Sequence, residues 1–151
     1  MHHFSRALLL SALLLGACRN ITGPAGSGAY TAEVTGALTA TYSGRMIYGP
    51  SSVTAGPGYD IHLQLPDEEP YHGLIFHIPA RPRLGTYAVV LKQDLNDAEV
   101  FSSLLLPAAV YLGSTGELQV TRTNPLRGAF RFEARQNSGE VIRIAGQFSE
   151  N

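Results

Sequence analysis

From Tyr30 to Phe148 the apolar residues recur at every second position, and this period constrains the fold more than any other feature. Val34, Gly36, Leu38, Ala40 and Tyr42 alternate with Thr35, Ala37, Thr39 and Thr41, and Ser43-Gly44 then reads as a turn. Tyr59, Ile61, Leu63 and Leu65 alternate with Asp60, His62 and Gln64; Leu74, Phe76 and Ile78 alternate with Ile75 and His77. Leu118 and Val120, then Phe130, Phe132 and Ala134, then Ile142, Ile144 and Phe148 continue the pattern against Gln119, Arg131, Glu133, Arg143 and Gln147. Successive side chains of a strand point to opposite faces, so each segment has one apolar and one wet face. Turn-forming clusters separate the segments: Gly56-Pro57-Gly58, residues 66–70, Gly113-Ser114-Thr115-Gly116, Asn124-Pro125 and Asn137-Ser138-Gly139. The pattern predicts an all-β fold, an antiparallel β-sandwich or barrel of eight to nine strands, as a single domain over residues 30–151. Residues 92–97 are polar and read as a loop, with room for a helical turn.

Register follows from matching apolar faces. In the closing hairpin, Phe132 falls opposite Ile144 and Ala134 opposite Ile142. Glu133 then meets Arg143 on the wet face, flanked by Arg131 and Arg135. A slip by one residue would turn Phe130 and Phe132 to water at roughly 1.5–3 kcal/mol each. An exposed ion pair contributes only about 0.2–1 kcal/mol, so the rings set the register and the ion pair follows. The same matching between residues 59–65 and 73–78 sets Leu65 opposite Leu74, Leu63 opposite Phe76 and Ile61 opposite Ile78. His62 then lies opposite His77, with Asp60 beside them on the same face. Opposed β-carbons lie about 4.5–5.5 Å apart, near enough for two imidazoles to share a metal. His62, His77 and Asp60 are therefore the candidate metal or proton site, with His72 in the connecting loop. The plainer reading is a pair of polar residues on a solvated face.

Other chemistry is thinly represented. The chain carries 11 basic and 12 acidic side chains, a net charge of −1, and no basic cluster, which excludes nucleic acid as an expected partner. No Gly-x-Ser-x-Gly elbow and no phosphate-cradling Gly-x₄-Gly-Lys-Ser/Thr loop occurs. Asp67-Glu68-Glu69 matches no calcium-loop spacing and reads as a solvated acidic turn. Arg81-Pro82-Arg83 is a small basic loop whose two charges add little affinity for anionic lipid. The expectation is a non-enzymatic domain, without a cofactor, that binds an unknown protein or small-molecule ligand. Two alternatives stay open: a metal-dependent enzyme built on His62, His77 and Asp60, and a carrier of a small apolar ligand in a barrel pocket.

The first residues carry a different signal. Arg6 precedes a nine-residue apolar run at positions 7–15, too short to cross a bilayer. A basic start, a short apolar stretch and small residues form the layout of a secretory signal peptide. Leu15-Gly16-Ala17-Cys18 resembles the lipobox of bacterial lipoproteins, and Cys18 is the only cysteine in the chain. The resemblance implies a signal peptide at residues 1–17, cleavage between Ala17 and Cys18, and a covalent lipid such as palmitate on Cys18. It also implies a location in the cell envelope, held to a membrane through that lipid. Arg19 stands where such lipoproteins carry an aspartate for inner-membrane retention, which implies outer-membrane sorting in a Gram-negative host. Residues 18–29, rich in Gly, Ser and Pro, read as a lipidated terminus and flexible tether. Asn20-Ile21-Thr22 fits a glycosylation sequon that such a protein does not use. The later apolar run at 104–110 is broken by Pro107 and is too short to span.

A further resemblance lies in the carboxyl third. Residues 116–121, 126–134 and 141–148, with Gly85-Thr86-Tyr87 upstream, look like the closing strands of a β-rich domain of uncharacterised bacterial lipoproteins. This implies a fold and no activity.

The anchor reading predicts that Cys18→Ala abolishes both lipid transfer and cleavage before residue 18. Labelling with a fatty-acid probe should mark the wild type and not the variant; equal labelling of both would contradict it.

Overall fold

The computed structural model describes residues 25–51, 58–66, 71–92 and 94–151. Among them are nine strands and no helix. These are β1 (Gly26–Gly36), β2 (Ala40–Pro50), β3 (Tyr59–Gln64), β4 (Gly73–Ile78), β5 (Gly85–Val89), β6 (Glu99–Leu106), β7 (Ala109–Thr123), β8 (Leu126–Arg135) and β9 (Val141–Glu150). They form one closed barrel in the order β1-β2-β3-β4-β6-β5-β7-β8-β9, and β9 returns to pair with β1. The all-β expectation holds, and the barrel is realised rather than the sandwich. It is not wholly antiparallel, because β5 runs parallel to β6 at Ala88↔Glu99 and Val89↔Val100.

The position of β5 explains the mixed pairing. β6 and β7 make a hairpin only near its tip, from Ser103↔Leu112 to Leu106↔Ala109. Beyond that they diverge, and β5 enters the fork, pairing Gly85–Ala88 with Glu117–Val120 of β7. The fork coincides with a bulge between Gly113 and Thr115, where the Ser114 hydroxyl donates to the Glu133 carbonyl at 3.2 Å. Gly113 is required there. A β-carbon on it would collide with the Ser102 hydroxyl and lie 2.7 Å from Val89 Cγ1. Residues 113–116 thus lie inside β7 and are not the expected turn.

The interior is a single apolar cluster. Phe76, Phe130, Phe132 and Phe148 meet there, with the Phe76–Phe130 centroids 5.1 Å apart and Phe76–Phe132 nearly edge-on at 5.8 Å. Such pairs add about 0.5–1.5 kcal/mol beyond the area they bury. Met46, Ile61, Leu63, Leu118, Ile142 and Ile144 complete the packing around them.

The closing hairpin has the expected register: Phe132↔Ile144, Glu133↔Arg143 and Ala134↔Ile142. Arg143 Nε donates to Glu133 Oε1 at 3.0 Å, and Arg131 pairs with Glu117 of β7 at 2.9 Å. Residues 137–139 make the turn, with Gly139 at φ +91°.

At the amino end the expectation needs two corrections. The first turn falls at residues 37–39, and Ser43-Gly44 lies within β2. Gly44 sits opposite Tyr30, and a β-carbon on it would approach the Gln64 carbonyl to 2.6 Å and the Tyr30 ring to 3.2 Å. Its glycine serves a close approach rather than a turn. The sheet also begins at Gly26, so residues 26–29 belong to β1 and not to the tether. Residues 92–97 are irregular where described, with no helical turn. The turns around 56–57 and 67–70, the signal peptide and Cys18 lie outside the described residues.

The weights assigned to rings and ion pair predict that Phe132→Ala loses about 3–5 kcal/mol. Glu133→Ala should lose no more than about 1 kcal/mol, because Arg143 is largely exposed. Urea unfolding of both variants checks the contrast; equal losses would contradict it.

Candidate functional site

The wall of the barrel has two unlike halves on its outside. Across β1, β9, β8 and the second half of β7, the outward positions carry Glu33, Thr35, Arg143, Arg131, Glu133 and Glu117, a charged surface. Across β2, β3, β4, β6 and the first half of β7, the outward row reads Ile47↔His62↔Ile75↔Ser103↔Leu112. The adjoining rows add Phe101 opposite His77, and Leu105 opposite Gly73 and Val110. This half groups the apolar side chains Ile47, Ile75, Phe101, Leu105, Val110 and Leu112 around Asp60, His62, Gln64 and Ser103, and it carries fewer charges than the other. Val110 is 48 % exposed and Tyr71 74 %. A concavity of about 470 Å³ runs along it, lined by Ile47, Asp60, His62, Tyr71, Ile75 and Leu105 among others.

The sequence-predicted candidates all lie on this half, but not as expected. His62 pairs with Ile75, and His77 pairs with Asp60. The register expected from Leu65↔Leu74 is off by two residues, since Leu63 faces Leu74. A shift of two keeps every residue on its own face, so matching apolar faces could not choose between the two. One side-chain and one backbone hydrogen bond accompany the observed register. His77 Nδ1 donates to Asp60 Oδ1 at 2.7 Å, and the Leu65 amide bonds the His72 carbonyl at 3.3 Å.

Asp60 and His77 form a half-enclosed clamp. His77 is buried, and the Ser51 hydroxyl donates to the second carboxylate oxygen, Asp60 Oδ2, at 2.8 Å. The Ser51 amide bonds the Gly58 carbonyl at 2.8 Å. A β-carbon on Gly58 would lie 3.1 Å from His77 Nε2, so the backbone there lies against the ring. In a nucleophilic triad the imidazole stands between hydroxyl and carboxylate. Here the carboxylate stands between hydroxyl and imidazole, so the order suits bracing of β3 and β4 and not activation of Ser51.

His62 stands apart from that pair. Its Nε2 is buried without a hydrogen-bond partner among the described residues. A β-carbon on Gly73 would come within 2.9 Å of it. Burial pushes the imidazole below its ordinary 6.5, against the opposite pulls of the His72 backbone and the Asp60 carboxylate. Among the described residues no group of three or more His, Cys, Asp or Glu side chains is placed to hold a metal ion. Asp60 with His77 supplies at most two donors, and they are occupied with each other and with Ser51.

Sequence reasoning missed Ser51 and the apolar outer half. The second had a legible signal: Ile75 in residues 73–78 and Phe101 and Leu105 in residues 99–106 are apolar at the positions between the core residues. Comparison of the chain with protein-family models, curated proteins and solved structures finds no match in any of the three.

The lowered His62 basicity has a definite sign. The unfolded chain takes up this proton before the folded one, so the contribution is full above pH 6.5 and is lost as pH falls through the folded value. The loss in urea midpoint between about pH 7.5 and about pH 5.5 should therefore be smaller in His62→Gln than in wild type. Identical losses would contradict this.

Proposed function

We propose that this chain is a bacterial lipoprotein, held to an envelope membrane by lipid on Cys18, whose barrel is a non-enzymatic binding domain. In a host with two membranes, Arg19 directs it to the outer one. One observation carries the binding role: one half of the outer wall groups apolar side chains outward while the other half carries paired charges. A water-soluble wall has no need of Ile47, Ile75, Leu105 and Val110 on its outside, and contiguous apolar surface of this kind marks interaction sites.

The alternatives draw less support. A metal enzyme on His62, His77 and Asp60 rested on a register in which the two imidazoles face each other, and they do not. An apolar carrier calls for an open interior, whereas four phenylalanine rings pack against one another there. A membrane-spanning barrel would turn Glu33, Arg131, Glu133 and Arg143 to lipid, where charges are strongly unfavourable.

A photo-crosslinking residue placed at Ile75 tests the binding role in an exporting bacterial host. Ile75 should give adducts, and the same residue at Thr35, on the charged half, should give none. Equal yields from both positions would contradict the assignment.

A further inference from the structure

The apolar half of the wall has a particular relation to the place where the chain enters the barrel. Ala25 precedes β1 and lies on this side: a β-carbon on Gly49 would sit 3.2 Å from the Ala25 methyl. Gly49 is the outward residue next to Asp60 and follows Ile47 by two positions on the same face. Ala25, where the described chain begins, therefore lies on the apolar half.

Its length is short. Seven peptide steps separate Cys18 from Ala25, and at about 3.3–3.6 Å each they reach at most roughly 25 Å. Along the wall, the level of Leu105 lies about four residues from that of Gly49, or about 13 Å at strand spacing. A lipid seated in the bilayer at Cys18 thus allows the whole apolar half to touch the membrane surface.

Charge points the same way. Among the described residues the one carboxylate lining the concavity, Asp60, is paired with His77. Exposed Arg45 lies two positions before Ile47 on the same face, and exposed Arg135 stands opposite Leu112. An apolar surface bordered by arginines suits the boundary between acyl chains and anionic headgroups. The charged half carries the ion pairs Arg131–Glu117 and Arg143–Glu133 outward and has no comparable apolar surface.

We infer that the apolar half of the barrel, around Ile47, Ile75, Leu105 and Val110, rests on the lipid bilayer to which Cys18 is anchored. The domain lies on its side at the membrane and shows its charged half to the aqueous space. This rests on the lipoprotein reading above and names the partner of the same surface. The lipid on Cys18 supplies the attachment, and the apolar half sets the orientation.

The chain has no tryptophan, so an introduced one reports a single position. Full-length Val110→Trp, Tyr71→Trp and Thr35→Trp proteins, produced in an exporting host, are reconstituted into phosphatidylglycerol–phosphatidylcholine vesicles with and without brominated acyl chains. Fatty-acid labelling and circular dichroism are recorded on each sample. Tyr71→Trp guards against a folding defect in Val110→Trp. A ring held about 5–10 Å into the headgroup–acyl boundary comes within contact of brominated chains and should lose a large part of its emission. The indoles at 110 and 71 should show that loss and the indole at 35 should not. Labelled, folded protein with no quenching at 110 and 71 overturns the inference and leaves the anchor standing. So does a blue-shifted indole at 110 that bromine does not touch, with a doubled mass, because a second copy then covers the face. Quenching at 110 and 71 without fatty-acid label supports the lipid-facing surface and overturns the anchor. Equal quenching at all three positions overturns the orientation.

Discussion

Closure of the sheet between its first and last strands is the constraint on which the rest depends. β1 pairs with β9 from Gly28↔Glu150 to Gly36↔Ile142, and with β2 on its other side. With that seam formed the barrel has no open edge, and every inward side chain is enclosed from all directions. Tyr30, Ala32 and Val34 join the Phe130–Phe148 cluster only because the seam brings them there. The seam also joins segments more than a hundred residues apart, so it carries the largest loop-closure cost in the fold. It is stabilised by the core it completes and by the backbone ladder. At the barrel end, Glu150 reinforces it by accepting from the Tyr48 hydroxyl at 2.9 Å and from the Leu126 amide at 2.7 Å.

Closure fixes which residues face outward, and the two halves of the outer wall then follow from sequence. β1, β8 and β9 alternate strictly and place charge outside. β4 and β6 place Ile75, Phe101 and Leu105 outside as well as apolar residues inside, and β3 places His62 and Asp60 among them. The clamp of Ser51, Asp60 and His77 belongs to this second half, where it satisfies polar groups at the edge of an apolar surface. A barrel filled by its own side chains offers little space inside.

Much of this was legible in the sequence, and the failures have physical causes. Period-two alternation located β1 to β4 and β7 to β9, though not β5 or β6, and it fixed the Glu133–Arg143 register, because a slip by one residue exposes Phe130 and Phe132. The hairpin containing His62 and His77 was misaligned by two residues, since such a shift leaves both apolar faces intact. Ser43-Gly44 and Gly113–Gly116 were misread as turns, because a glycine needed for close backbone approach has the same composition as one needed for a turn. Insertion of β5 into the β6–β7 fork had no sequence signal at all. It depends on pairing between distant segments, which local pattern does not encode.

Native-state amide exchange across residues 26–36 tests the closed barrel most directly. The account predicts that the ladder-bonded amides of β1 are as protected as those of β8 and exchange only when the whole domain unfolds. Fast exchange throughout β1, as in an unpaired tail, with β8 still protected, would show that the seam is open and that the enclosed core described here is wrong.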